Sequence, residues 1–212
     1  MVSMKILNPS FDVEEGRRGG CIRSVTGRRL WPLDMRPDDF DPFDIAHSLS
    51  QICRFTGHSR EFISVAQHCC TVSDKIEDQR FARWGLVHDA PEYVVSDLNS
   101  IVKHSGLLEN YRDIEHAIVL PMCEWLGLSA FEPPEVKEAD RRSFATEVRD
   151  FMVSLEGQMW TELAGIEPYP EQLVSWSPRR ARDEWLTRFR RLFPDQWSTF
   201  YSTCSFRSDL PV

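Results

Sequence analysis

The sequence predicts an all-α fold of six or more helices, and three observations carry that expectation. Apolar residues recur at helical spacing from Phe43 onward. No stretch alternates apolar and polar residues well enough to build a sheet. Prolines stand where helices would open, at Pro133-Pro134 and at Pro178.

The elements follow in chain order. Residues 1–21, with Glu14-Glu15-Gly16-Arg17-Arg18-Gly19-Gly20, read as a loosely ordered lead-in. Residues 21–42 carry Thr26-Gly27 and then Pro32, Pro37 and Pro42, a segment laid over a surface with a short hairpin near Gly27. Ile45, Leu49 and Ile52 define a first helix, and Phe62, Val65, Cys69, Val72 and Ile76 a second. Phe81, Trp84 and Gly85 lead a third into His88. Tyr111, Ile114, Ile118, Met122 and Trp125 form a fourth, with a kink expected at Pro121. Val136, Ala139, Ser143, Phe144, Val148 and Phe151 form a fifth, and Ala181, Trp185, Phe189 and Leu192 a sixth. Residues 22–194 then make one domain, with 195–212 as a C-terminal tail. A chain of 212 residues, 42% of them hydrophobic, can bury a core without a disulfide or a metal.

Charge and composition narrow the function. Against 25 basic residues stand 33 acidic ones, a net charge of −8. That argues against a broad face for polymeric nucleic acid, though a small phosphate compound remains open where a metal and a few basic residues reverse the local field. No apolar run approaches the roughly 20 residues of a membrane helix, and none near the start resembles a signal peptide. A cytoplasmic protein with free thiols is expected, since none of the six cysteines forms a C-x-x-C pair. Neighbouring Cys69 and Cys70 read as core.

Ionisable residues stand where apolar ones belong. His68 lies among Val65, Cys69 and Val72; His88-Asp89 continues the face of Phe81, Trp84 and Gly85; Asp140 lies among Val136, Ala139, Ser143 and Phe144. Burying an ionised carboxylate costs several kcal/mol unless it is paired or bound to a metal. Asp140 could pair with Arg141 or Arg142, and a single buried His is commonly a satisfied core residue. Taken together the four suggest more. If the second and third helices form an antiparallel hairpin, His68 and His88 both stand about 11–12 Å from its turn, at ~1.5 Å per residue. They can share an ion. Two His and two Asp suit one divalent metal, Mn, Co, Zn, Fe or Mg, with positions left for water. Glu92, one turn beyond His88, is placed to act as a general acid or base, with a break expected at Pro91. Asp97 reads equally as a turn residue.

These segments resemble the HD-domain metal-dependent phosphohydrolase superfamily. The pattern is His68, then His88-Asp89, then the distant Asp140. Around it stand Asp44-Ile45-Ala46-His47-Ser48-Leu49, Cys53-Arg54-Phe55-Thr56-Gly57-His58, Ser64-Val65-Ala66-Gln67-His68 and His88-Asp89-Ala90-Pro91-Glu92. The resemblance spans roughly residues 22–194 and is nearest to the small 5′-deoxynucleotidases and the phage dATP triphosphohydrolases. It implies an HD-type helical bundle, and His68, His88, Asp89 and Asp140 as ligands of one divalent ion. It also implies Glu92 and Asp97 as catalytic residues. Arg54 would bind phosphate, and Phe55 would crowd the sugar where the pattern has Trp, at a spacing to His68 offset by about one residue. Lys103 would assist with phosphate, His58 could touch substrate, and Trp31 could border the nucleoside. The reaction implied is hydrolysis of a nucleotide 5′-phosphoester, releasing nucleoside with phosphate or triphosphate. The alternatives are a non-catalytic HD module that binds a nucleotide or a protein, and a hydrolase for another small phosphoester. A homo-oligomer paired through Ile114, Ile118 and Trp125 is also open, although the same residues could be core.

Overall fold

The computed structural model describes residues 11–12, 16–153 and 163–203. They are mostly helical, as expected. Two small hairpins precede the helices. Strand β1 (Phe11–Asp12) pairs antiparallel with β2 (Arg17–Arg18), and β3 (Ile22–Arg23) with β4 (Arg29–Leu30). Gly27 takes a φ of +84° in the second turn, a left-handed conformation that glycine adopts without strain. Thr26 anchors this turn by donating its backbone N–H and its hydroxyl to the buried Asp44 carboxylate, at 3.1 and 2.7 Å.

Each long helix has a local reason to start. Asp41 accepts the backbone N–H groups of Phe43 and Asp44 and opens α1 (Pro42–Gln51). Ser64 caps α2 (Val65–Asp74) through Gln67 N–H, and Asp78 caps α3 (Gln79–Val87) through Arg80 N–H. Two short helices follow, α4 (Glu92–Val95) and α5 (Ser100–Lys103). Then come α6 (Glu109–Leu126), ended by left-handed Gly127, and α7 (Pro134–Phe151), with proline at its first position. Ser177 and Pro178 open α8 (Pro178–Leu192), and α9 (Pro194–Thr203) follows at once. Pro121 lies inside α6, which continues through it. Residues 195–203 of the expected tail are helical, and Trp197 packs against the core.

Helices α1, α2, α3 and α8 form the centre, with α7 laid against α2 and α3. Trp185, Phe189 and Phe193 stack in sequence at the core, and Trp185 Nε1 donates to the Leu86 carbonyl at 3.1 Å, tying α8 to α3. Ile118 is buried there, and Ile114 and Trp125 are partly buried and packed against the same core. Trp31 is buried beneath the Arg17 guanidinium, 4.6 Å from its ring centre, which corrects its assignment beside a nucleoside.

The α2–α3 crossing is the contact that matters for the site. A Cβ on Gly85 would lie 2.9 Å from Ile76 Cδ1 and 3.1 Å from Ser73 Cα. The Ser73 backbone cannot yield as a flexible side chain could. Gly85→Ala is therefore expected to destabilise the protein by about 1–3 kcal/mol, read as a lower denaturant midpoint in urea unfolding. An unchanged midpoint would contradict this tight crossing.

Candidate metal centre

The site grows from three helices that the hairpin brings to one level. His68 projects from the middle of α2 and is fully buried. The α3 helix ends at Val87, and His88-Asp89-Ala90-Pro91 forms a turn before α4 restarts at Glu92. Asp140 comes from α7. The ring nitrogens His68 Nε2 and His88 Nε2 lie 3.2 Å apart. Asp89 Oδ2 is 3.3 Å from His88 Nε2 and 3.7 Å from His68 Nε2. Asp140 Oδ1 is 3.0 Å from His68 Nε2 and 3.9 Å from His88 Nε2. Asp140 thus faces the histidines, while Arg142 donates elsewhere, to the Glu167 carbonyl.

The other ring nitrogens are already committed. His88 Nδ1–H donates to the Gly85 carbonyl at 2.9 Å. His68 Nδ1–H donates to Glu147 Oε1 at 2.6 Å. These bonds turn both Nε2 atoms toward one point, as metal-bound histidines are usually held. Bonds of about 2.1 Å would separate neighbouring ligand atoms by about 3.0–3.4 Å. Three of the five spacings lie in that range, so the residues fit a divalent ion. Among the described residues, His68, His88 and Asp89 form a group whose ligand atoms all lie within 4.8 Å of one another.

Glu147 was missed in the sequence. It stands seven residues after Asp140, two turns along the same face of α7, and that spacing was the available signal. It is fully buried, and both its oxygens are used. Oε1 accepts a hydrogen bond from His68 Nδ1–H, while Oε2 accepts from Arg54 Nε and Nη2 at 3.3 and 3.2 Å. Arg54 Nη1 lies 3.7 Å from Asp89 Oδ2. The arginine reaches this place from a loop closed at its base, where Arg54 N–H donates to the Ile63 carbonyl and Val65 N–H to that of Ile52. Arg54 is thus in the site, but held by carboxylates and not free.

Beside Arg54 the backbone turns left-handed at Phe55 and Thr56, φ 55° and 52°, and continues so at Gly57. A β-branched residue pays for this conformation, at roughly 1–2 kcal/mol. The turn lays the Phe55 ring on Phe144, one turn beyond Asp140, with ring centres 5.7 Å apart. His58 closes this turn through its backbone N–H on the Phe55 carbonyl; its side chain is exposed and makes none of the hydrogen bonds that build the site.

Glu92 is buried, and its Oε2 has no hydrogen-bond partner. Burial, then Asp89 and Asp97, push its pKa well up against the pull of Arg54 and Lys103. Asp97 is half-buried after the left-handed Ser96, and burial raises it too. Lys103 Nζ holds Glu115 at 2.7 Å, and its charge is also felt by Asp89 and Glu92. Glu132, exposed in the α6–α7 loop, is a further carboxylate whose charge interacts with those of His88 and Asp140.

The metal-free cluster has a defined pH response. Burial and Arg54 lower the His68 pKa, but Glu147 and Asp140 outweigh them, and the net shift is upward. For His88, burial opposes Asp89, which prevails, and the pKa rises well above 6.5. Burial works to raise Asp89, Asp140 and Glu147, yet their cationic neighbours leave all three lowered. Histidines with raised pKa values stabilise below the unfolded value of 6.5, and this is lost as pH climbs through the folded values. Lowered carboxylates stabilise above about 4, lost as pH falls through their folded values. The chelator-treated protein is therefore expected to melt at lower temperature as pH is raised above 6.5. Added Mn²⁺ should cancel that decline, because an ion replaces the protons. Parallel melting curves with and without Mn²⁺ across this range would count against the site.

The described residues thus define a mostly helical protein with a His–Asp cluster suited to a divalent ion. Among the described residues no helix is long and apolar enough to cross a membrane. No family model matches the chain. It is 36% identical over 173 residues to the uncharacterized protein YfdR of Escherichia coli, spanning 81% of this chain and 94% of that protein. An uncharacterized protein of Rhodobacter capsulatus is 32% identical over 125 residues, 55% of this chain and 63% of that one. The chain belongs to the family of YfdR.

Proposed function

We propose that this protein is an HD-type, divalent-metal-dependent phosphohydrolase acting on (deoxy)nucleotides, releasing nucleoside with phosphate or triphosphate. The observation that carries the reading is the convergence of His68 Nε2, His88 Nε2, Asp89 and Asp140 on one point, with Nδ1 of both histidines tied back. Two nitrogens and two carboxylates suit Mn²⁺, Co²⁺, Zn²⁺, Fe²⁺ or Mg²⁺. When bound, such an ion supplies Lewis-acid polarisation of a phosphoryl oxygen and a water of lowered pKa.

The chain's own residues would do the rest. Glu92 is a buried carboxyl whose raised pKa favours the protonated form, which suits donation to a leaving 5′-oxygen. Asp97 and Asp89 sustain that shift through their charge. Arg54, through the Nη1 that Glu147 leaves over, and Lys103 would neutralise phosphate oxygens. Phe55 and Phe144 would form an apolar wall beside Asp140 for the sugar or base.

The test is a product assay on dAMP and dATP with Mn²⁺ or Co²⁺, separating phosphate from triphosphate by chromatography. Deoxyadenosine with phosphate makes it a 5′-nucleotidase; deoxyadenosine with triphosphate makes it a triphosphohydrolase. Neither product from metal-loaded protein would sink the nucleotide reading.

A further inference from the structure

We infer that Glu147 is a positioning residue that couples the metal ligand His68 to the anion-facing Arg54, so that one buried carboxylate sets both halves of the site. The inference rests on the metal-centre reading above and deepens it. Glu147 shows no solvent exposure and touches neither the candidate ion position nor any surface a substrate could reach. One oxygen takes the His68 Nδ1–H at 2.6 Å, and the other takes Arg54 Nε and Nη2 at 3.3 and 3.2 Å.

Each contact has a directional consequence. The first fixes the His68 tautomer and turns Nε2 toward Asp89 and Asp140. A carboxylate in that position also makes the imidazole a better ligand. The second holds two donors of the Arg54 fork and leaves Nη1, which lies 3.7 Å from Asp89, as the part turned to the ligand cluster. A guanidinium presents its donors in a rigid plane, so fixing one edge aims the other. The three groups come from α2, from α7 and from the loop before α2, and nothing else among the described residues' hydrogen bonds joins the Arg54 side chain to His68. Asp89 stands 3.7 Å from both Arg54 Nη1 and His68 Nε2, beyond hydrogen-bond reach, so among the described residues Glu147 is the hydrogen-bonded support that metal and anion affinity share.

Glu147→Gln tests this because it keeps the shape and removes the charge. In either orientation the amide NH2 meets a donor, Arg54 in one and His68 Nδ1–H in the other, and no negative charge remains to hold either partner in place. Two dissociation constants are measured by titration calorimetry: that of Mn²⁺ alone, and that of inorganic phosphate on Mn²⁺-saturated protein. Glu147→Gln should weaken Mn²⁺ by about 10–100-fold, the usual effect of removing such an orienting partner, and weaken phosphate as well. Arg54→Met should weaken phosphate while leaving Mn²⁺ no weaker. In the Arg54→Met background, Glu147→Gln should still cost Mn²⁺ affinity but cause no further loss of phosphate.

If circular dichroism shows Glu147→Gln unfolded, Glu147→Asp is read in the same way, since the shorter side chain keeps the charge but not the reach to both partners. Either variant binding both probes as the wild type does, or losing only one of them, overturns the coupling. A wild type that binds no Mn²⁺ overturns the metal-centre reading itself, and is thereby distinguished from failure of the coupling alone.

Discussion

Asp140→Ala is expected to lose stoichiometric metal while keeping its fold. Asp140 sits 3.0 Å from His68 Nε2, yet its side chain is 37% exposed. Truncating a partly exposed carboxylate leaves no large cavity, so the fold should hold, with the metal-free protein melting only modestly lower for loss of the Asp140–His68 pair. Losing an orienting partner of a ligand costs 10–100-fold in metal affinity, and losing a ligand outright should cost at least about 100-fold. The check is metal content by mass spectrometry after dialysis against limiting Mn²⁺, beside a melting curve. Metal retained at the wild-type level would remove Asp140 from the ligand set. His68→Ala would be a poorer probe, because His68 is fully buried and bonded to Glu147, so its removal strands a buried carboxylate.

The second large effect is expected at Glu92. Glu92→Gln should retain Mn²⁺ affinity within a few-fold and reduce turnover of the active nucleotide by about 10²–10⁴-fold, the range for loss of a general acid or base. The substitution suits the site, because the Glu92 carboxyl is already disposed to be neutral and its Oε2 makes no hydrogen bond that an amide would break. Stability should hold or rise slightly, since one buried ionisable group is removed. Turnover within two-fold of wild type would show that Glu92 moves no proton.

Much of this was legible in the chain. The helical stripes placed α1, α2, α3, α6, α7 and α8, because apolar spacing reports which face is buried without reference to the partner. Short α4 and α5 were not legible: four residues are too few to show a period. The α9 helix carries Trp197, Phe200 and Tyr201 at helical spacing, a pattern present but unused. Trp31 illustrates the opposite error, since an aromatic near a motif says nothing about which way it faces. In the structure it is covered by Arg17.

By itself, then, the sequence determined the helical class, the position of Pro91 as a break after His88-Asp89, and the residue types able to hold an ion. Those follow from local rules of spacing, backbone geometry and side-chain chemistry. Only the tertiary structure decided how the ion-binding face is supported. Arg54 and Glu147 are 93 residues apart, and His68 and Glu147 are 79 apart. No local preference links groups at such separations. They meet because α7 packs across the α2–α3 hairpin, and because a fully buried carboxylate is stable there only with a donor on each oxygen.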